Sequence, residues 1–349
     1  MLCAVLPKLQ MLILVGFGGN VIKAQTKLFC ASLAFVGVAL MPNIVNASDG
    51  SIASGGSTVP DSSSGSVDKA GDHKHTFANH AQANAGAVRE ARAARVRPIS
   101  GNGINYHNGP VMLGVTNTYV IWYGNWPSTS TTPAILTDLL GNVGGSPYFN
   151  INTTYYNAST TKVSNAVKYG GSTTDSYSLG SSLSDAGVRT VVSNAIAAGR
   201  LPNDSNGVYF VLTSMDVNET SGFLTQYCGW HSNGAIAGSD IKYSFVGDPG
   251  RNMAACSAQS KSPNDNAAAD AMASVILHEL EETVSDPDLN AWYDSRGMEN
   301  ADKCAWTFGS TYTFANGSLA NMKLGTRDFL IQRNWLNASG GLCTLSFPS

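Results

Sequence analysis

The stretch HELEETVSDP, residues 278–287, sets a carboxylate directly after an imidazole and another four positions on. Residues four apart on a helix stand side by side, so His278 and Glu282 can grip one cation between a ring nitrogen and a carboxylate oxygen. Glu279, turned about 100° away, can reach a water on that cation. This is the arrangement of H-E-x-x-H metallopeptidases, in which the first Glu is the general base and the metal lowers the water's pKa to about 7. Here Glu replaces the second His. Carboxylates bind Zn²⁺ at about 2.0–2.2 Å, so zinc is the expected cofactor, while the harder oxygen ligand also admits Ca²⁺, Mn²⁺ or another divalent ion. The competing reading is an ion-free acidic helix face on which Glu281 is simply solvated.

A catalytic zinc takes three protein ligands, so one more must come from outside this string. Asp286 lies about 12 Å beyond His278 along a continuous helix and is expected to cap the turn before Pro287 or to orient the site. The segment WYDSRGMENADKC (292–304) brings Asp294, Glu299 and Asp302 back after a glycine turn. Asp302 and Glu299 are the expected third ligand, and spacing does not choose between them. His231, in YCGWHS, is expected as a transition-state hydrogen-bond donor or a further ligand, against the common role of a buried structural histidine. The chain holds only six Glu, and four of them fall between 279 and 299, a clustering that asks for a cause. Ser214 and Asp216 after VYFVLT lack both G-x-S-x-G and a base placed by sequence, so they do not support a nucleophile site.

The elements that must hold these residues follow from periodicity. DNAAADAMASVILHELEETVSDP (265–287) predicts a helix that Pro287 ends, with Ala273, Leu277, Leu280 and Val284 on one face and His278, Glu279 and Glu282 on another. SLSDAGVRTVVSNAIAAG (182–199) predicts a second helix, capped by Ser184, buried through Val188, Val191, Val192 and Ile196, and closed by Gly199. TYVIWYGNW (118–126), NGVYFVLTSMDV (206–217) and the shorter KYSFVGDP (242–249) read as strands. Strands alternating with helices predict an α/β or α+β fold: one compact domain over 103–349, with a mixed sheet and a long, zincin-like active-site helix.

The 349 residues are 43% apolar and 13% charged, enough for a substantial core. Residues 1–47 read as an export signal with an N-terminal extension: Lys23 and Lys27 precede the apolar run 28–41, and Val45-Asn46-Ala47 offers small residues for cleavage. The earlier run MLILVGFGG is too short to span a bilayer, so no membrane anchor is expected after processing. Residues 48–102 are Ser/Gly/Ala-rich and read as a flexible segment or propeptide. Within them DHKHTFANH (72–80) carries three of the six His, which offer weak metal binding but read first as a solvated linker because no rigid scaffold fixes their geometry. Outside the leader four Cys remain, at 228, 256, 304 and 343, which suits disulfides in an oxidising compartment. Cys228–Cys256 with Cys304–Cys343 is one of three possible pairings. Residues 103–349 carry 12 Lys+Arg against 19 Asp+Glu, which argues against nucleic acid as a partner.

The blocks GPVMLGVTNTYVIWYGNW (109–126), TDSYSLGSSLSDAGV (174–188), LPNDSNGVYFVLTSMDV (201–217), GFLTQYCGWHS (222–232) and ENADKCAWTFG (299–309) together resemble the EXORDIUM, or phosphate-induced protein, family over most of 109–345. The resemblance implies an extracellular or cell-wall protein, with plant relatives linked to growth and brassinosteroid response. The H-E-x-x-E-x-x-x-D-P string is similar to zincin-like metallopeptidases and points to a microbial branch of the family. Motif and resemblance together lead to two expectations. One is a secreted metal-dependent hydrolase, a zinc metallopeptidase acting on a peptide or protein: His278 and Glu282 hold the ion with Asp302 or Glu299, Glu279 activates water and His231 assists. The other is a non-catalytic extracellular or cell-wall binding or signalling protein, in which a wall component is the partner.

Overall fold

In the computed structural model, which describes residues 74–84, 103–338 and 340–348, the β-branched and aromatic run TNTYVIWY forms a strand, Thr116–Tyr123 (β2). It is buried along nearly its whole length, as an interior parallel strand is when both sheet faces are covered. Around it lie β1 (Lys74–Ala78), β3 (Val167–Asp175), β4 (Gly207–Thr213), β5 (Tyr227–Ile236) and β6 (Ser239–Gly247). The sheet order is β1-β5-β6-β4-β2-β3. β3, β2, β4 and β6 run parallel, β5 runs against β6, and β1 against β5. This is the expected mixed α/β sheet. No helix among the described residues is long and apolar enough to cross a membrane.

Three helices cover the sheet: α1 (Thr132–Asn142), α2 (Asp185–Ala197) and α3 (Ala267–Ser285). The chain leaves β2 outward to β3 and then returns past β2 to β4, and right-handed crossovers in opposite directions place α1 and α2 on opposite faces. Side-chain alternation along β1 agrees: Lys74 pairs with Asp185 of α2, whereas its neighbour His75 points to the α3 side. Ser184 caps α2 by accepting from the Gly187 amide, and Val188, Val191, Val192 and Ile196 are buried beneath it. Asn266 caps α3 in the same way through Ala269.

Ala273, Leu277, Leu280 and Val284 of α3 are fully buried, as periodicity predicts, but so is nearly every other residue of its second half. The cause is a second layer. The C-terminal segment lies over the side of α3 that sequence alone would leave to solvent: the Gln332 amide donates to Ser274, and Asn334 hydrogen bonds with Glu281. Glu281 is therefore not a solvated helix residue. Its carboxyl is fully buried, which pushes its pKa up to about 8 against the opposing pull of Asn152 and Asn334.

Other expectations change as well. YCGWHS, which carried no element reading, opens β5, and the strand read at 242–249 begins earlier, at Ser239. VKYGGSTTD, β3, alternates between half-buried and exposed positions with few apolar side chains, so it carries little pattern. The linker reading of 72–80 fails where it matters most, because Lys74–Ala78 is the sheet's edge strand and His75 is buried. The proposed leader and most of 48–102 lie outside the described residues. The two disulfides are Cys228–Cys256 and Cys304–Cys343, closing separations of 28 and 39 residues.

Candidate metal centre

Three parts of the fold meet at the second half of α3. The helix contributes His278, Glu279 and Glu282, each without solvent exposure. The β1–β5 pair contributes His75 and His231, which are direct cross-strand partners and so project from the same face toward the helix. The turn after the helix contributes Glu299 and Asp302, the latter opening a short 3-10 turn, Asp302–Cys304.

Glu282 is the hub. Its Oε1 lies 3.0 Å from His278 Nε2 and accepts from the Asp302 amide at 3.1 Å, while Oε2 lies 3.3 Å from His75 Nδ1 and 3.5 Å from His231 Nδ1. Asp302 reaches both sides, with Oδ1 3.5 Å from His278 Nε2 and Oδ2 3.2 Å from His75 Nε2. Glu299 stands 3.8 Å from His75 Nδ1 and 3.7 Å from His231 Nε2, and Glu279 Oε2 is 3.3 Å from His231 Nδ1. Candidate ligand atoms of His278, Glu282 and Asp302 lie within 4.8 Å of one another, as do those of His75, His231, Glu282 and Glu299.

Burial and mutual charge set the protonation of this group. Burial alone would depress the imidazoles, but Asp302 and Glu282 outweigh it at His75 and push it up to about 10. His278 is raised well above its ordinary value, chiefly by Glu282, and His231 is raised by Glu279 and Glu282, in each case against burial. Burial would lift Glu282, yet His278 and His75 hold it well below the usual carboxylate range. Glu299 is driven well up by burial and by Asp286, Glu282 and Asp302, and burial takes Glu279 to about 6. A cluster this short of solvent demands compensating positive charge.

His231 Nε2, His278 Nε2, Glu279 Oε1 and Glu299 Oε2 are buried without a hydrogen-bond partner. Buried polar atoms are ordinarily satisfied, and these four belong to residue types that ligate divalent metals, so the donor set fits a cation. Three imidazoles among the donors, those of His75, His231 and His278, favour Zn²⁺ or another first-row ion over Mg²⁺ or Ca²⁺.

All six residues singled out in the sequence, His231, His278, Glu279, Glu282, Glu299 and Asp302, come together here. Asp286 instead accepts from the amides of Asn290 and Ala291 and shapes the turn after the helix, and Asp294 accepts from Arg296 and Met298 in the next turn. Ser214 accepts from the Asn125 amide and donates to Asp216, a turn contact. Sequence reading missed two participants. His75 sits in a five-residue strand beside low-complexity sequence, where only the His75/Phe77 alternation hints at a strand. Gln332, whose amide hydrogen bonds with His278 Nδ1, carries no motif at all.

Access is narrow. Phe77 of β1 stacks on the His278 ring with centroids 3.9 Å apart, and Trp306 stacks on Phe77. The nearby cleft is lined by Phe77, Ser274, Trp306 and Lys261, among others, and by none of the seven charged side chains.

Residues 104–327 match the model of the phosphate-induced protein 1 conserved region. Protein EXORDIUM-like 5 of Arabidopsis thaliana is 30% identical over 274 residues, covering 66% of this chain and 75% of that protein. Protein EXORDIUM-like 3 of the same plant is 27% identical over 272 residues, covering 66% and 80%. No solved structure matches. The family match spans more than half the chain and includes α3 with its charged residues, and on that ground the protein belongs to the phosphate-induced protein 1, or EXORDIUM-like, family.

Proposed function

We propose that this is an extracellular EXORDIUM-like protein whose central helix binds a divalent cation, Zn²⁺ first, through His278, Glu282 and Asp302. The observation that carries it is the convergence of imidazoles and carboxylates at a buried cluster in which four candidate ligand atoms make no hydrogen bond. Two disulfides support an oxidising compartment. With β1 in place every donor is at most 8% exposed, which favours a closed, non-catalytic ion that ties helix, turn and sheet edge together in a binding or signalling protein of the cell wall or extracellular space. Elemental analysis of the purified secreted protein, after dialysis against metal-free buffer, is expected to find at least one equivalent of a first-row metal, and a chelator to lower the melting temperature. A metal-free protein with an unchanged melting curve ends this reading.

A second reading, a metal-dependent peptidase, is favoured by one group. Glu279 has an unpartnered oxygen and a carboxyl at about 6, close to the operating range of a general base. The bound ion would supply Lewis acidity and a lowered water pKa. His231, in contact with Glu279, would orient it and donate to the developing oxyanion. Glu279→Gln is then expected to abolish cleavage of a peptide library while leaving metal content intact. Wild-type protein that holds metal and cleaves nothing leaves the non-catalytic reading alone.

A further inference from the structure

We infer that the centre is built for two cations, the second held by His75, His231 and Glu299, with the Glu282 carboxylate bridging the two. The inference rests on the reading of this cluster as a cation site. The two oxygens of Glu282 face opposite ways: Oε1 toward His278 at 3.0 Å, Oε2 toward His75 at 3.3 Å and His231 at 3.5 Å. A carboxylate serving one ion would not need imidazoles against both oxygens. The donors divide accordingly into two groups that both include this residue, and the second oxygen of Asp302, 3.2 Å from His75 Nε2, also lies against the second group.

The second group has its own signs of an absent partner. His231 Nε2 and Glu299 Oε2 are each buried, lack a hydrogen-bond partner and lie 3.7 Å apart, longer than a hydrogen bond and within the span of two ligands on one ion.

The second ion takes a ligand from β1, which among the described residues is the strand supplied from N-terminal to residue 103. It therefore staples that strand to the sheet edge, adding a bond across the same His75–His231 pair that sets the strand register.

The test is metal stoichiometry on the full chain, loaded with Zn²⁺ and dialysed exhaustively. Wild type is expected to retain two equivalents, and His75→Ala and Glu299→Gln about one each. X-ray absorption of the wild type should show a metal–metal vector at about 3.5–4 Å that both variants lose. Because His75→Ala could also release β1, Glu299→Gln, on a different element, decides the matter if the first variant fails to fold. One equivalent in wild type, unchanged in Glu299→Gln, overturns the second site and leaves the single-ion reading standing. No metal in any sample overturns both.

Discussion

At the residue scale the least conspicuous member of the centre is Gln332. A hydrogen bond to one ring nitrogen fixes a histidine's orientation and aims the other nitrogen at its target. Gln332 makes that bond at Nδ1 of His278 with its side-chain nitrogen, which also donates to the Ala301 carbonyl while its side-chain oxygen accepts from the Trp306 amide, and Nε2 is left facing Glu282 and Asp302. Gln332→Leu fills similar space without that hydrogen bond. It is expected to weaken metal affinity about 10- to 100-fold, measured by competition against a chelating dye, with far-ultraviolet circular dichroism unchanged. Equal affinity in the variant would reduce Gln332 to packing.

At the scale of elements, the site depends on how closely α3 approaches β5. Gly229 of β5 makes that approach possible. A Cβ there would sit 2.6 Å from Val275 Cγ1, 2.9 Å from Glu279 Oε1 and 3.0 Å from the Phe245 carbonyl oxygen, so helix, general-base candidate and neighbouring strand all crowd the same point. Gly229→Ala is expected to destabilise the fold by about 1–3 kcal/mol, as overpacking does, and to lower metal affinity by moving Glu279 and His231 apart. A calorimetric melting curve indistinguishable from wild type would contradict this account of the helix–sheet contact.

At the scale of the whole molecule, the centre is closed by chain remote from α3. Cys304 lies two residues after Asp302, and its bond to Cys343 ties that turn to a C-terminal hairpin formed by Asn334–Leu336 and Leu342–Thr344. Replacing both cysteines by serine removes a closure of 39 residues and is expected to cost about 2–4 kcal/mol. Because the same bond holds the Asp302 turn, the loss should appear twice, as a lower melting temperature and as faster release of metal to a chelator. A variant that melts lower yet keeps its metal would place Asp302 outside the centre.

By itself, the sequence determined the parts whose signals are local. The i, i+4 spacing of His278 and Glu282, the cap at Ser184, the apolar faces of α2 and α3 and the buried strand β2 all follow from neighbours within a few turns, where periodicity and capping chemistry act. Only the tertiary structure decided what depends on contacts far apart in the chain. It turned Glu281 from a surface residue into a buried acid by laying the C-terminal segment over it, and it folded a histidine-bearing strand from a low-complexity region onto the edge of the sheet. It also admitted both Asp302 and Glu299 to one cluster where spacing offered a choice. The physical reason is the same in each case: burial and charge compensation belong to the assembled interior, and a local stretch of chain carries no record of what will cover it.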